Sequence, residues 1–429
     1  MTTLTPTGRL LRPAESMLQG QRRRYLAVGT FALLGVIDIA VFALNARPGD
    51  AVFALSASGS HLASIHVAAA PACYVLGAIT ICIAVLRATT DLSARSMRIA
   101  IGVALTCFVL ALLCWADAAN SVGSLNLVLL LQGSLIAAIP LVLGALSGCM
   151  CERSGVINIA IEGQLILGAF AGAAFASAVS SLWLGLVAGS LAGGLLGAVL
   201  AVFAIRFRVD QIILGVVLNS LALGLTNYLY DRVMAPYSNT LNSGSFFSTL
   251  KIPVLGDIPI IGPIFFDSTI FLYITYLLIF AIQIGLFSTR WGLRVRAVGE
   301  HPTAADTVGI NVLWTRHRNV ILGGMVAGIG GAYLTVGSVG SFTPGMSNGF
   351  GYIGLAAMIF GRWTPLGAVA AALLFGFSEQ LGLALGLLNV PVPAQVLSMA
   401  PYVATIIAVA GLVGKVRAPA ADGQPYVKA

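Results

Sequence analysis

CERSGVINIAIEGQLILGAF, Cys151 to Phe170, opens on Glu152 and Arg153 and then places Asn158 and Glu162 inside an apolar run. Only 9% of the 429 residues are charged, so this concentration of polar groups needs a cause. The surrounding chain supplies the setting. Hydrophobic residues make up 58% of it, and its mean hydropathy of +0.96 is far above that of a soluble domain with an ordinary charged surface. Successive apolar runs reach the roughly 20 residues that a helix needs to cross about 30 Å of hydrocarbon. They lack the period-2 alternation of a lipid-facing barrel strand. The fold class that follows is an all-α polytopic membrane protein.

Hydropathy predicts about 12 transmembrane or partly re-entrant helices, near 25 to 44, 67 to 86, 99 to 116, 125 to 148, 157 to 179, 182 to 204, 211 to 229, 268 to 287, 319 to 338, 350 to 361, 365 to 384 and 396 to 414. With the N-terminus inside, only Arg47, Arg232 and Lys251 of the 23 basic residues fall outside, an asymmetry that predicts both termini in the cytoplasm. Glu152 and Arg153 then sit at the cytoplasmic end of a span, where charge costs little. The same topology accounts for the net charge of +8. The basic residues are dispersed between spans without aromatic interleaving, a pattern that argues against nucleic acid as a partner. The first apolar run, from Tyr25, is too long for a signal-peptide core and has no small-residue cleavage site behind it. Cys73, Cys82, Cys107, Cys114, Cys149 and Cys151 all fall in or beside apolar runs away from the four histidines, so they read as structural hydrophobes and no metal site is expected.

Two segments are unusually made. FGYIGLAAMIFG, 350 to 361, precedes Arg362 and Pro365 and as a helix reaches roughly 18 Å, little more than half the bilayer. Ser154, Gly155 and Asn158 interrupt the opening stretch in a corresponding way. Paired interruptions point to a central pathway built from discontinuous helices. Gly185, Gly189, Gly193 and Gly197 recur every fourth residue on one helix face, suited to close helix packing within the chain or, less favoured, between subunits. The long outside segment, about 230 to 267, covers the outer mouth of the pathway, meets an external partner or is simply a packed cap.

Ionisable groups at membrane depth are functional candidates by default, here Asp38, Glu162 and Glu379, with Asn158, Gln164, Asn219 and Asn227 as uncharged companions. A structural hydrogen bond is the favoured role for Asp38. Glu162 lies one helical turn beyond Asn158, at i and i+4, so the two are expected to share a face and project toward one cavity. They either line a solute path or brace a broken helix by satisfying free backbone groups. Phe350, Tyr352 and Phe360 either stack on a planar solute or pack.

The longest internal inner loop, 288 to 318, is STRWGLRVRAVGEHPTAADTVGINVLWTRHR. Pro302 suits a first helical turn, Thr303 to Val308 a short helix and Gly309 its exit. Thr303-Ala304-Ala305 followed by Gly309 resembles the "EAA…G" loop of ABC importer permeases, with threonine in place of the usual glutamate. ERSGVINIAIEGQLILGAF (152 to 170), GLRVRAVGEHPTAADTVGI (292 to 310) and GYIGLAAMIFGRWTPLGA (351 to 368), in that order, resemble the permeases related to branched-chain amino-acid and ribose importers, in the nucleoside or simple-sugar branch. The resemblance covers about 125 to 415.

It implies an ABC importer permease fold in a prokaryotic cell membrane, with a permease core at 125 to 415, an N-terminal extension of three extra spans at 1 to 124 and a cytoplasmic tail at 416 to 429. It further implies docking of Gly299, Glu300, Pro302, Thr303, Ala304, Ala305, Asp306 and Gly309 on a cytoplasmic ATPase. A second, paralogous permease and an extracytoplasmic solute-binding protein complete the implied set of partners. No phosphate-binding G-x-x-x-x-G-K-[ST] loop occurs, and no catalytic dyad, so no enzyme activity or cofactor is expected in this chain, with ATP and Mg at the ATPase. The substrate-path candidates are then Asn158, Glu162, Gln164, Asn219, Asn227, Phe350, Tyr352 and Glu379, whose amides, carboxylates and rings suit ribose hydroxyls and base edges. Two other readings remain open from the residues alone: an ion-coupled secondary transporter of a small polar solute, and a non-transporting membrane scaffold.

Overall fold

A computed structural model describes residues 13–55, 63–118, 124–388, 399 and 417–428. The helices are α1 Pro13–Ile37, α2 Ala69–Thr89, α3 Ala94–Asp117, α4 Leu127–Glu152, α5 Ile161–Ala178, α6 Leu182–Ala201, α7 Gln211–Leu229, α8 Ser238–Leu241, α9 Ile261–Phe265, α10 Ile270–Ser288, α11 Arg290–Glu300, α12 Pro302–Thr307, α13 Val312–Leu334, α14 Phe350–Phe360 and α15 Pro365–Leu387. Ten helices among the described residues are long and apolar enough to cross a membrane, several extended by a π-helical turn, and α14 is a shorter apolar helix. These match eleven of the spans expected from hydropathy. The twelfth, 396 to 414, lies outside the described residues, as do Arg9, Arg12 and Lys415. Helix starts follow local chemistry: Asp210 accepts from the Ile212 and Ile213 amides, Thr289 from Gly292 and Asn311 from Trp314.

Contacts divide the chain into two compact units, Met1–Val128 with Leu383–Leu397, and Leu129–Gly382 with Ser398–Ala429. In the first, α1, α2 and α3 pack around Phe31, Ala84 and Ala104. Strand β1 (Asp50–Ala54) pairs antiparallel with β2 (Ile65–Ala68), Phe53 opposite Ile65, and parallel with β3 (Leu125–Asn126). Asp117 ties this small sheet to α3 by accepting from the Val52 amide at 2.7 Å and the Leu125 amide at 3.0 Å. Asp38 departs from its expected role. It lies in the π-turn that ends α1, fully buried against Gly77 of α2, and neither carboxyl oxygen has a hydrogen-bond partner among the described residues.

The second unit is organised around α13, which packs against α5 and α6. Its glycines explain the arrangement. A Cβ on Gly193 would collide with the Gly324 carbonyl, and one on Gly328 with the Gly189 carbonyl, so the backbones of α6 and α13 touch directly. The glycine face of α6 is therefore occupied within the chain, where close packing substitutes for the hydrophobic drive that lipid does not provide. Ser190 adds a cross-helix bond to the Met325 carbonyl at 3.2 Å. The segment between α7 and α10 folds over itself, with β4 (Leu250–Lys251) paired to β5 (Asp267–Ser268) and Lys251 bridging Asp257.

Candidate functional site: a polar seam between two broken helices

Both expected interruptions are present, and they meet. The α4 helix ends at Glu152, and residues 153–160 form a non-helical turn in which Gly155 has φ +87°. A side chain there would press on the Arg316 guanidinium, so glycine is required on both counts. The second interruption is the run 340–349, where Gly340, Gly345, Asn348 and Gly349 all take positive φ before α14 begins. Each break frees backbone amides that water cannot reach in a bilayer, and each must be satisfied by protein.

Glu162, at the start of α5, performs this service for α14. Its Oε1 accepts from the Ser347 hydroxyl at 2.7 Å and the Gly349 amide at 2.8 Å, and its Oε2 accepts from the Gly351 amide at 2.7 Å. An all-acceptor role suits a carboxylate, and its charge faces the positive end of the α14 dipole. Gly351 lets α14 approach this closely, since a Cβ would strike the Glu162 backbone. The start of α5 is satisfied in turn from α7. Asn219 Oδ1 accepts from the Gly163 amide at 2.8 Å, while its Nδ2 donates to the Ile159 carbonyl at 2.9 Å and to the Tyr352 hydroxyl at 3.1 Å. Gln211 adds an acceptor for the Ile157 amide at 2.7 Å. Four elements are thereby sewn together through polar side chains: the 153–160 turn, α5, α7 and α14.

Asn158 lies elsewhere than helical spacing implies. It sits in the non-helical turn, so Asn158 and Glu162 do not share a face. Asn158 is fully buried and directs its Nδ2 to Ser147 Oγ at 3.3 Å, Cys151 Sγ at 3.5 Å and Gln164 Oε1 at 3.1 Å. Gln164 is equally buried. These two amides form the back of the seam, and the front is Tyr352, which is 48% exposed, beside half-buried Glu162 and Phe350. Asn227 and Glu379, both half-buried, are not hydrogen bonded to this group. The Asn227 carbonyl oxygen is enclosed without a partner among the described residues. Sequence reasoning missed Ser347, Gly349, Gly351, Gln211 and Ser147. The run GMSNGFGY, 345 to 352, carried the signal, since small and polar residues crowd ahead of a short apolar helix.

The loop 288–318 forms α11 and α12. Pro302 opens α12, and Gly309, at φ +85°, closes it. Gly299 packs directly on the Arg153 carbonyl, placing this loop against the first break. Within α12 the two alanines part ways: Ala304 is exposed, whereas Ala305 is buried with Val298, Val312 and Tyr426.

Residues 130–410 match the family model described as branched-chain amino acid transport system, permease component. The guanosine ABC transporter permease protein NupQ of Bacillus subtilis is 41% identical over 309 residues, which are 70% of this chain and 97% of that protein. The nucleoside ABC transporter permease protein NupC of Lactococcus lactis is 37% identical over 72% of this chain and 99% of its own. A second Bacillus subtilis protein, the guanosine ABC transporter permease protein NupP, is 29% identical over 66% of this chain and 83% of its own. No solved structure matches. The chain, a multi-pass membrane protein, belongs to the family of branched-chain amino acid transport system permease components.

Proposed function

We propose that this chain is a translocating subunit of an ATP-driven nucleoside importer, working by alternating access. The observation that carries the reading is the 41% identity across nearly the whole length of a guanosine permease. The polar seam supports it. Tyr352, with its hydroxyl held by Asn219, offers a planar face and a hydrogen-bonding edge to a solute made of a base and a ribose. In this reading both termini are cytoplasmic and α12 docks on a separate ATPase, which binds ATP and Mg. A paralogous second permease and an extracytoplasmic solute-binding protein complete the importer.

The test is uptake of labelled guanosine by cells with and without this chain, with unlabelled competitors present. Purine and pyrimidine nucleosides, present at about ten times their dissociation constant, are expected to lower uptake by about tenfold, while glucose and leucine leave it unchanged. Uptake that is unchanged without the chain, or blocked by glucose alone, overturns the substrate assignment. Uptake that survives ATP depletion and collapses with the proton gradient replaces the importer with an ion-coupled carrier.

A further inference from the structure

The last described segment, 417–428, is not a free tail. The Ala421 amide donates to the Gly299 carbonyl at 2.9 Å, and the Ala420 amide to Glu300 Oε2 at 3.2 Å, both at the end of α11. Tyr426 is buried in the apolar cluster with Val298, Ala305 of α12 and Val312. Gly423 packs on Ile157 of the first break. The receptor for all of this is Arg316, on the first turns of α13 and 1% exposed. Its Nη1 donates to the Gln424 carbonyl at 2.8 Å, its Nη2 to the Ala421 carbonyl at 3.5 Å and its Nε to the Ser154 carbonyl at 3.2 Å. A buried guanidinium that loses its acceptors is costly, so a residue of this kind marks a built seat. The Asp422 carboxyl adjoins that of Glu152, with one of its oxygens enclosed without a partner among the described residues, and Glu152 Oε2 accepts from Trp363 Nε1. Arg153 donates to the Trp363 carbonyl at 2.7 Å and continues the chain of contacts to the turn before α15.

We propose that residues 417–428 are a positioning strap, seated on Arg316, that joins the partner-facing helix α12 to the broken-helix turn 153–160, so that displacement of one is delivered to the other. The inference rests on α12 being the ATPase contact. The strap reaches α11, α12, α13, the end of α4 and the turn itself, and the turn leads directly into Glu162. Its seating carries a proton preference, because an Asp422 oxygen is enclosed without a donor beside a second carboxyl group, where a charged carboxylate is costly. The charged and titratable groups facing Asp422 are Glu152 and Cys151 of α4 and Arg316 of α13. Burial, opposed by Glu152 and Arg316, pushes the Asp422 carboxyl up from 3.8 to about 7. A raised value means that the seated strap prefers the protonated acid. Seating is thus fully supported below the ordinary aspartate range and lost as pH rises through about 7.

Two measurements on the full-length protein test this. In nanodiscs without partners, amide hydrogen exchange at Ala421 and across 153–160 is expected to speed up about tenfold between about pH 6 and about pH 8, beyond the intrinsic change, and Asp422→Asn is expected to flatten that excess. In the assembled complex, a chain ending at Val416 is expected to keep its ATPase through the exposed face of α12 yet transport roughly fivefold less solute per ATP, with Tyr426→Ala intermediate. A truncation that lowers assembly and transport together, at an unchanged ratio of solute to ATP, makes the tail a mere structural support and overturns the proposal. So does a truncation that changes nothing, or a pH profile that Asp422→Asn leaves intact. The exchange experiment needs no ATPase, and failure of the wild-type chain to assemble with one counts against the importer reading separately.

Discussion

Glu162→Ala is expected to reduce solute uptake by at least about tenfold while the chain still inserts in the membrane, because the lost carboxylate holds α14 in place. Three donors depend on it: the Ser347 hydroxyl and the Gly349 and Gly351 amides. Ser347 and Gly351 are buried, and an enclosed donor without an acceptor costs about 1–3 kcal/mol. Loss of even about 1.4 kcal/mol shifts a two-state seating equilibrium tenfold. The helix itself is only 11 residues long and cannot rely on its own propensity. Glu162→Gln separates bracing from solute contact. Its amide oxygen can still accept from Ser347 and Gly349, but its NH₂ then faces the Gly351 amide, donor against donor. Uptake is therefore expected to fall between wild type and Glu162→Ala, and the midpoint of thermal unfolding should follow the same order. If Glu162→Ala instead raises the solute concentration for half-maximal uptake with unfolding unchanged, the carboxylate serves the solute and not α14.

The same residue shows what was legible in the sequence. A carboxylate in an apolar run, a short helix before Arg362 and Pro365, and a Ser-Gly-Asn interruption are all one-dimensional signals. They suffice to expect two broken helices with polar groups between them. What they do not encode is which break each polar group serves. Helical spacing put Asn158 and Glu162 on one face, whereas the turn through Gly155 rotates Asn158 back toward Ser147 and Gln164 and leaves Glu162 to reach a helix almost two hundred residues away in sequence. The spans were readable because hydropathy is local. The seam was not, because its partners come from α4, α5, α7 and α14, elements far apart in sequence. Arg316 was misjudged for a related reason: near a predicted span end it looked like one more inner-side charge, yet it is enclosed by a segment about a hundred residues later.

The two neighbouring alanines of α12 should behave oppositely. Thr303, Ala304 and Val308 are exposed, Val308 by 75%, so α12 presents apolar surface outside the lipid-crossing helices. Surface of that kind marks a protein contact. Ala304→Arg places a long cation on it without touching the interior. The expected result is a chain with an unchanged unfolding midpoint that no longer co-purifies with its ATPase and whose uptake falls by at least about tenfold, since a hot-spot contact contributes about 2 kcal/mol or more. Ala305 is 3% exposed and closed over by Tyr426, Val298 and Val312. Ala305→Arg must either bury an unpaired charge, at a cost of several kcal/mol, or expel the strap that carries Tyr426. Its signature is a lowered unfolding midpoint measured on the isolated chain, before any partner is added. Retained ATPase binding in Ala304→Arg would remove α12 as the docking element. Equal loss of stability in both variants would mean that the exposed face of α12 is part of the fold and faces no partner.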